Sequence, residues 1–329
     1  RADDRWKRRN GRPPREEGAG ARGLTRSPLD RRLESGECPA MPRPAGVPVS
    51  LVRQKTRDGV WLDGVVTEPR RRPRTALVLV HGLGSVFSAA PTLTRELSTS
   101  LNAASIGYFK FNTRGHDVVA RGGRRMAGAA YERFVDCIED IRTVLAFVGQ
   151  CGYRRVVLAG HSTGANKVLY YATRPRDRRD VGIVLLGPVS DAAAEAKRLG
   201  WRELRRRVAT AQRIARRDPQ GLVPRAWGYW SARRYISLYR PGEVEDVFPY
   251  YRAAARWTAL RAVRLPIAAI VGSRDEFLDR PARDVITAFR QNATRARAFT
   301  GSVIPGARHG FQGRERVLAD MIVRWIRDR

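Results

Sequence analysis

Sulfur is scarce in this chain, which holds three cysteines and three methionines in 329 residues. Cys38, Cys137 and Cys151 are an odd set, at spacings that fit neither a zinc site nor a disulfide framework. They predict a reduced chain with incidental thiols, no metal and a cytoplasmic location. Long apolar runs are also missing. The longest, such as Val181 to Leu186 and Ala76 to Val80, have the length of a strand and fall well short of the roughly 20 residues that span a bilayer. No integral membrane segment is expected, and the first forty residues lack the apolar stretch of a secretory signal. Lysine occurs at five positions only (7, 55, 110, 167 and 197) of the 63 held by lysine and arginine together, against 32 acids. The resulting formal charge of +31 would suit a polyanion. However, the arginines spread over every segment instead of forming one stripe, and no zinc finger, ribonucleoprotein motif or helix-turn-helix pattern accompanies them. Nucleic acid is therefore not the expected partner.

The rest of the composition is that of a globular protein, 43% hydrophobic. Residues 1–46, rich in arginine and proline with little to bury, read as a disordered extension, and Met41 marks a plausible start for a mature product that lacks it. From Val49 onward the pattern changes. VSLVRQKT and GVWLDGVVTEP alternate around Asp58-Gly59, which predicts a hairpin with a two-residue turn. Apolar strands are then expected at Ala76–Val80, Ile106–Phe111, Val156–Ala159, Ile183–Leu186, Pro266–Val271 and Ala298–Ile304. Helix-period segments fall between them at Pro91–Leu101, Tyr131–Val148, Ala165–Thr173, Pro281–Arg290 and Arg314–Ile326. Asp279 is the expected N-cap of the helix at Pro281. Such alternation implies a mostly parallel, eight-stranded sheet covered by helices on both faces. Residues of about 192–264 break the rhythm: helical pattern without a strong strand predicts an inserted helical cap. Four of the seven tryptophans fall in this interval (Trp201, Trp227, Trp230, Trp257), to serve as cap core or as substrate contacts.

The sharpest local signal is Gly160-His161-Ser162-Thr163-Gly164, a G-x-S-x-G pentapeptide between a predicted strand and a predicted helix. Such a turn strains the serine backbone and lifts its hydroxyl clear of the sheet, and a Cβ at either glycine would collide with its neighbours. His81-Gly82-Leu83-Gly84 directly follows an earlier strand, where an amide can hold a developing oxyanion. Asp275 follows the strand at Ile267–Val271, and His309 follows the last strand. The chain order Ser162, Asp275, His309 is that of one serine hydrolase lineage. Asp191, in Pro188-Val189-Ser190-Asp191, is the alternative acid. His81 and His161 flank backbone turns and read as packing or loop hydrogen-bonding groups, and His116 is misplaced for a base.

From about residue 49 to its end, including FNTRGHD at 111–117, the chain resembles the α/β-hydrolase superfamily. Within it, HSTGANKVLYY and GPVSD look similar to esterase-like proteins that include siderophore-ester hydrolases. The resemblance implies Ser162 as nucleophile, His309 as general base and then acid, Asp275 as the group orienting His309, and the amides of Leu83 and Thr163 as oxyanion donors. The expected activity is hydrolysis of a carboxylic ester through an acyl-enzyme, without metal or organic cofactor. The basic cap favours a small-molecule substrate with an anionic group. A thioesterase or amidase would use the same atoms. Two other readings stay open: a peripheral lipid hydrolase laying WRELRRRVATAQRIARR on an anionic membrane, and a ligand-binding protein that has lost catalysis.

Overall fold

A computed structural model of the chain describes residues 47–70, 74–122, 125–175 and 177–329. The extension expected over residues 1–46 lies outside the described residues. In chain order the strands are β1 (Ser50–Lys55), β2 (Trp61–Thr67), β3 (Thr75–Val80), β4 (Ile106–Phe111), β5 (Ala120–Gly122), β6 (Arg125–Ala127), β7 (Arg155–His161), β8 (Asp180–Leu186), β9 (Ile267–Gly272) and β10 (Phe299–Ile304). Eight of them form one sheet in the order β1-β2-β4-β3-β7-β8-β9-β10, and β5 and β6 form a separate ribbon. Within the large sheet β1 and β2 are antiparallel, as are β2 and β4, and the remaining pairs are parallel, while β5 and β6 pair antiparallel. The strands that the sequence predicts all form.

The helices are α1 (Pro91–Ala103), α2 (Cys137–Gln150), α3 (Thr163–Ala172), α4 (Asp191–Leu199), α5 (Trp201–Arg217), α6 (Ala232–Tyr239), α7 (Thr258–Ala262), α8 (Ala282–Asn292) and α9 (Glu315–Arg327). α1 and α9 cover one face of the sheet through Leu97, Leu101, Leu318 and Ile322. α2, α3 and α8 cover the other through Ile141, Leu145, Val168, Leu169, Val285 and Phe289. Strands enclosed in this way must be apolar on both faces, which is why β7 reads Val156-Val157-Leu158-Ala159 without alternation and all four are buried.

α4, α5 and α6 have a core of their own around Leu204, Val208, Ala211 and Tyr235. The apolar face of α5, the one available to a membrane surface from sequence, is thus occupied by protein. Its charged face holds the pairs Glu203–Arg206 and Glu203–Arg207, both at 2.7 Å. Trp201, Trp227 and Trp230 pack in this layer, whereas Trp257 belongs to the main core against Phe289.

Three local expectations are corrected. The β1–β2 turn covers residues 56–60, because Thr56 Oγ1 accepts the Val60 N–H at 2.8 Å and closes a wider loop than Asp58-Gly59 alone would make. The helix predicted from Tyr131 begins only at Cys137. Glu132 is drawn inward to a buried lysine, and a short 3-10 turn at Phe134–Asp136 leads into α2. Asp279 does not cap α8: its carboxylate holds Arg280 at 3.0 Å, and Pro281 occupies the cap position. The β5–β6 ribbon has no counterpart among the predicted elements.

Register places the carboxyl ends of the central strands level with one another. Val80 lies opposite Phe111 and Gly160, and Gly160 opposite Leu185. The segments following β3, β4, β7, β8, β9 and β10 therefore emerge at one rim, where open parallel sheets present their reactive groups.

Candidate active site

Ser162 links β7 to α3 with φ 57 and ψ −128, a conformation that costs a non-glycine residue roughly 1–3 kcal/mol. Neighbouring contacts enforce it. The Ser162 N–H donates to the Leu186 carbonyl at 2.9 Å, and the Ser162 carbonyl accepts from Ala165 at 2.8 Å. A Cβ on Gly160 would lie 2.2 Å from the Gly164 carbonyl oxygen, and one on Gly164 would lie 2.3 Å from that of Val80. Only glycine lets helix and strands approach this closely. Gly82 backs directly onto the serine, since a Cβ there would stand 2.9 Å from Ser162 Cβ. Ser162 Oγ makes no hydrogen bond among the described residues.

His309 and Asp275 meet at the same rim because β9 and β10, which precede them, are neighbours in the sheet. Asp275 Oδ2 lies 2.9 Å from His309 Nδ1, with the carboxylate side chain fully buried and the imidazole 10% exposed. Asp275 Oδ1 accepts the Phe277 N–H at 3.0 Å, which fixes the carboxylate plane. The His309 backbone is tied at both ends: its N–H donates to Glu276 Oε2 at 3.0 Å, and its carbonyl accepts His161 Nε2–H at 2.9 Å. The imidazole packs between Phe277 and His161, with ring centroids at 4.6 and 5.0 Å, and lies against Gly187, where a Cβ would be 3.1 Å from Nδ1. With Nδ1–H given to the carboxylate, Nε2 is left as the acceptor.

The other histidines do different work. Burial, followed by the charge of Lys167, lowers the pKa of His81 to about 3. The neutral ring donates from Nδ1 to the Gly82 carbonyl at 2.8 Å and accepts the Thr113 N–H on Nε2 at 2.9 Å, anchoring the segment that carries Leu83. His161 is lowered to about 4 by burial and by His309, and stays neutral as a donor to the His309 carbonyl. His116 pairs with Asp117 at 2.8 Å. The Leu83 and Thr163 amides donate to no other group among the described residues.

Asp191, the alternative acid, starts α4 and pairs with no histidine. It lines a cleft of about 440 Å³ together with Leu83, Lys197, Tyr239, Glu276 and Phe277. None of the four tryptophans at 201, 227, 230 and 257 lines this cleft. A larger concavity of about 660 Å³, lined by Tyr170, Arg174, Asp246 and Trp257, contains none of the rim residues. Among the described residues no group of three His, Cys, Asp or Glu side chains is arranged to hold a metal, and no helix is long and apolar enough to cross a membrane.

One feature next to the rim has no counterpart in the sequence reading. Lys167, on α3 one turn beyond Ser162, lies 2.5 Å from Glu132, and Arg234 on α6 lies 2.5 Å from Glu245 and 3.5 Å from Glu132. All four side chains are at most 1% exposed. Lys167 also donates to Thr113 Oγ1 at 3.1 Å. The signal available in sequence was a lysine inside the otherwise uncharged TGANKVLYYA of α3.

Sheet order, helix placement and the strained serine turn are those of an α/β-hydrolase fold. Over residues 62–327 the chain matches, and so belongs to, the family described as "Protein of unknown function (DUF1749)". No curated protein matches it. Among solved structures it is similar to the siderophore hydrolase EstB from Aspergillus fumigatus, at 18% identity and a TM-score of 0.64 over 88% of this chain and 99% of that one. It is also similar to a thermostable carboxyl esterase from Bacillus coagulans (15% identity, TM-score 0.58, 85% and 98% covered). Est1E from Butyrivibrio proteoclasticus follows at 15% identity and a TM-score of 0.56, over 84% of this chain and 98% of that one.

Proposed function

We propose that the chain is a serine hydrolase that cleaves a carboxylic ester through an acyl-enzyme, with Ser162, His309 and Asp275 as its triad and the helices between β8 and β9 as a cap over the rim. The observation that carries this reading is the strained Ser162, its hydroxyl free, on the rim that holds the 2.9 Å His309–Asp275 pair and two unpaired amides. As Ser162 Oγ attacks the ester carbonyl, His309 Nε2 takes its proton, and Asp275 stabilises the imidazolium through Nδ1–H. The carbonyl oxygen becomes an oxyanion and receives the N–H groups of Leu83 and Thr163, each donor of this kind being worth about 3 to 4 kcal/mol. His309 then returns the proton to the departing alcohol. Water, activated by the same nitrogen, resolves the acyl-enzyme. Closure of the Ser162–His309 hydrogen bond accompanies substrate binding, as apo sites commonly tighten only in the complex.

A fluorophosphonate probe should label Ser162, and Ser162→Ala should lose both the label and at least about 10⁴-fold in kcat/KM on p-nitrophenyl esters. Labelling that persists in Ser162→Ala, or turnover that survives it, overturns the assignment. Esterase neighbours in the structural comparison support an ester over other acyl substrates.

A further inference from the structure

The cleft beside Leu83 is lined by the acids Asp191, Glu195 and Glu276 and the cations Lys197 and Arg198. All but one of these charges are spoken for. Arg198 grips Glu195 through two bonds of 2.6 and 3.0 Å. Lys197 Nζ donates to the carbonyls of Glu276 and Leu278 at 3.1 and 2.8 Å. Glu276 accepts the His309 N–H at 3.0 Å and faces Arg308 at 3.9 Å. Asp191 alone has no side-chain hydrogen bond or ion pair with another described residue, although it stands in the wall of the cleft next to the rim.

We propose that Asp191 is the recognition group of a subsite for a cationic, ammonium-bearing part of the substrate, bound alongside Leu83. The proposal rests on the serine hydrolase reading and names its substrate class. Burial, and after it the charge of Glu245, holds the Asp191 carboxyl up to about 8, with Arg234 opposing. Burial favours the neutral carboxyl, and the excess of acid in the lining, Asp191, Glu195 and Glu276 against Lys197 and Arg198, favours a positive charge in the cleft once Asp191 ionises. At neutral pH the free carboxyl keeps its proton. When the ligand binds, the proton leaves to solvent and the ammonium takes its place, so binding tightens as pH rises toward 8. The groups facing Asp191 are Glu195, Lys197 and Arg198 on its own helix, Arg234 and Tyr239 on α6, Glu245, Asp246 and Tyr250 beyond it, and Glu276 from the loop after β9. Burial raises the Tyr239 phenol further, so it stays neutral through this range.

The test uses full-length Ser162→Ala protein and three methyl esters at pH 8: cationic 4-(trimethylammonio)butanoate, its neutral isostere 5,5-dimethylhexanoate, and anionic hydrogen glutarate. Calorimetry should give the cation an affinity about tenfold or more above that of the isostere, with the anion weakest. Asp191→Asn and Asp191→Ala, each in this background, should bring the ratio to about one. Equal binding of cation and isostere, a preference for the anion, or a cation preference that survives both substitutions overturns the subsite. Turnover of the matching p-nitrophenyl esters by the unsubstituted protein separates the two ideas. Cation binding without any turnover keeps the subsite and removes the hydrolase reading, and turnover blind to charge does the reverse.

Discussion

Ionisable groups sit in two places around α6, and the two are handled in opposite ways. Toward α3, Glu132, Lys167, Arg234 and Glu245 form a closed set in which each charge meets an opposite one. Glu245 Oε2 also accepts from Ser237 at 2.7 Å, and the Glu245 carbonyl accepts Asn166 Nδ2–H at 3.1 Å. The set draws on α3, α6 and the loops around residues 132 and 245, so it fastens the helical layer to the helix that begins at the nucleophile. On the cleft side Asp191 has no such partner. The difference shows in their ionisation. For Glu132, burial pushes the carboxyl up but Lys167 and Arg234 outweigh it, and its pKa ends below the usual value. For Asp191 burial and Glu245 prevail over Arg234, and its pKa ends far above. A charge with its partner built in is part of the scaffold. A carboxyl without one keeps its proton until something with a positive charge takes its place.

The largest effect should come from breaking the closed set. Lys167→Met leaves Glu132 buried with only Arg234, at 3.5 Å, to answer it. Removing one member of a buried pair costs about 3 to 5 kcal/mol, which urea unfolding would read as a large fall in midpoint. Adding Glu132→Leu to Lys167→Met should recover part of that loss, because the orphaned charge goes with it, although the 3.5 Å contact to Arg234 goes too. If the double variant is as unstable as the sum of the single ones, the cluster is not a closed set and the contrast with Asp191 fails. Ser162→Ala and the Asp191 charge series test the other side of the contrast, through chemistry and through binding respectively.

Sequence reading reached furthest where cause and effect are local. The strands of the central sheet are apolar runs bounded by turn residues, and the Ser162 turn announces itself through two glycines whose missing Cβ atoms are each required by a contact near 2 Å. Asp275 and Asp191 could not be ranked in that way, because both follow a strand at the same rim. The choice depends on β10 lying beside β9, which sets Asp275 2.9 Å from His309. The four-charge set was invisible for a similar reason. Residues 132, 234 and 245 each look like an ordinary surface charge, and although Lys167 stands out within α3, only the tertiary fold brings the four together. The same cluster explains the late start of α2, since the segment around Glu132 follows its ion pair instead of the helical period. Trp257 was grouped with the helical layer by position in the chain, yet packs on Phe289 in the main core because α7 returns to the sheet before β9.

The smallest effect sharpens the comparison through pH. The carboxyl of Asp191 sits at about 8 in the folded protein, against about 4 for an unfolded aspartate. Between those values the folded state binds the extra proton. The stability contributed by protonated Asp191 is therefore fully present below about pH 4 and is lost as pH rises through about 8. Asp191→Asn removes the titration, so its melting temperature relative to the parent should climb steadily between pH 5 and 8.5. The side chain borders an open cleft, so the climb should be modest. Glu132 is held below the usual carboxylate range, and its contribution is already complete at pH 5. Lys167→Met removes the largest influence holding Glu132 down and leaves burial to push its carboxyl up, so the deficit of that variant should widen as pH rises over the same interval. Melting curves of the three proteins at matched ionic strength separate the cases, and a flat difference for Asp191→Asn would mean that its carboxyl already has a counter-charge in the folded chain. Repeating the series with saturating tetramethylammonium should stabilise the parent most at high pH, because the cation binds the form that has lost its proton.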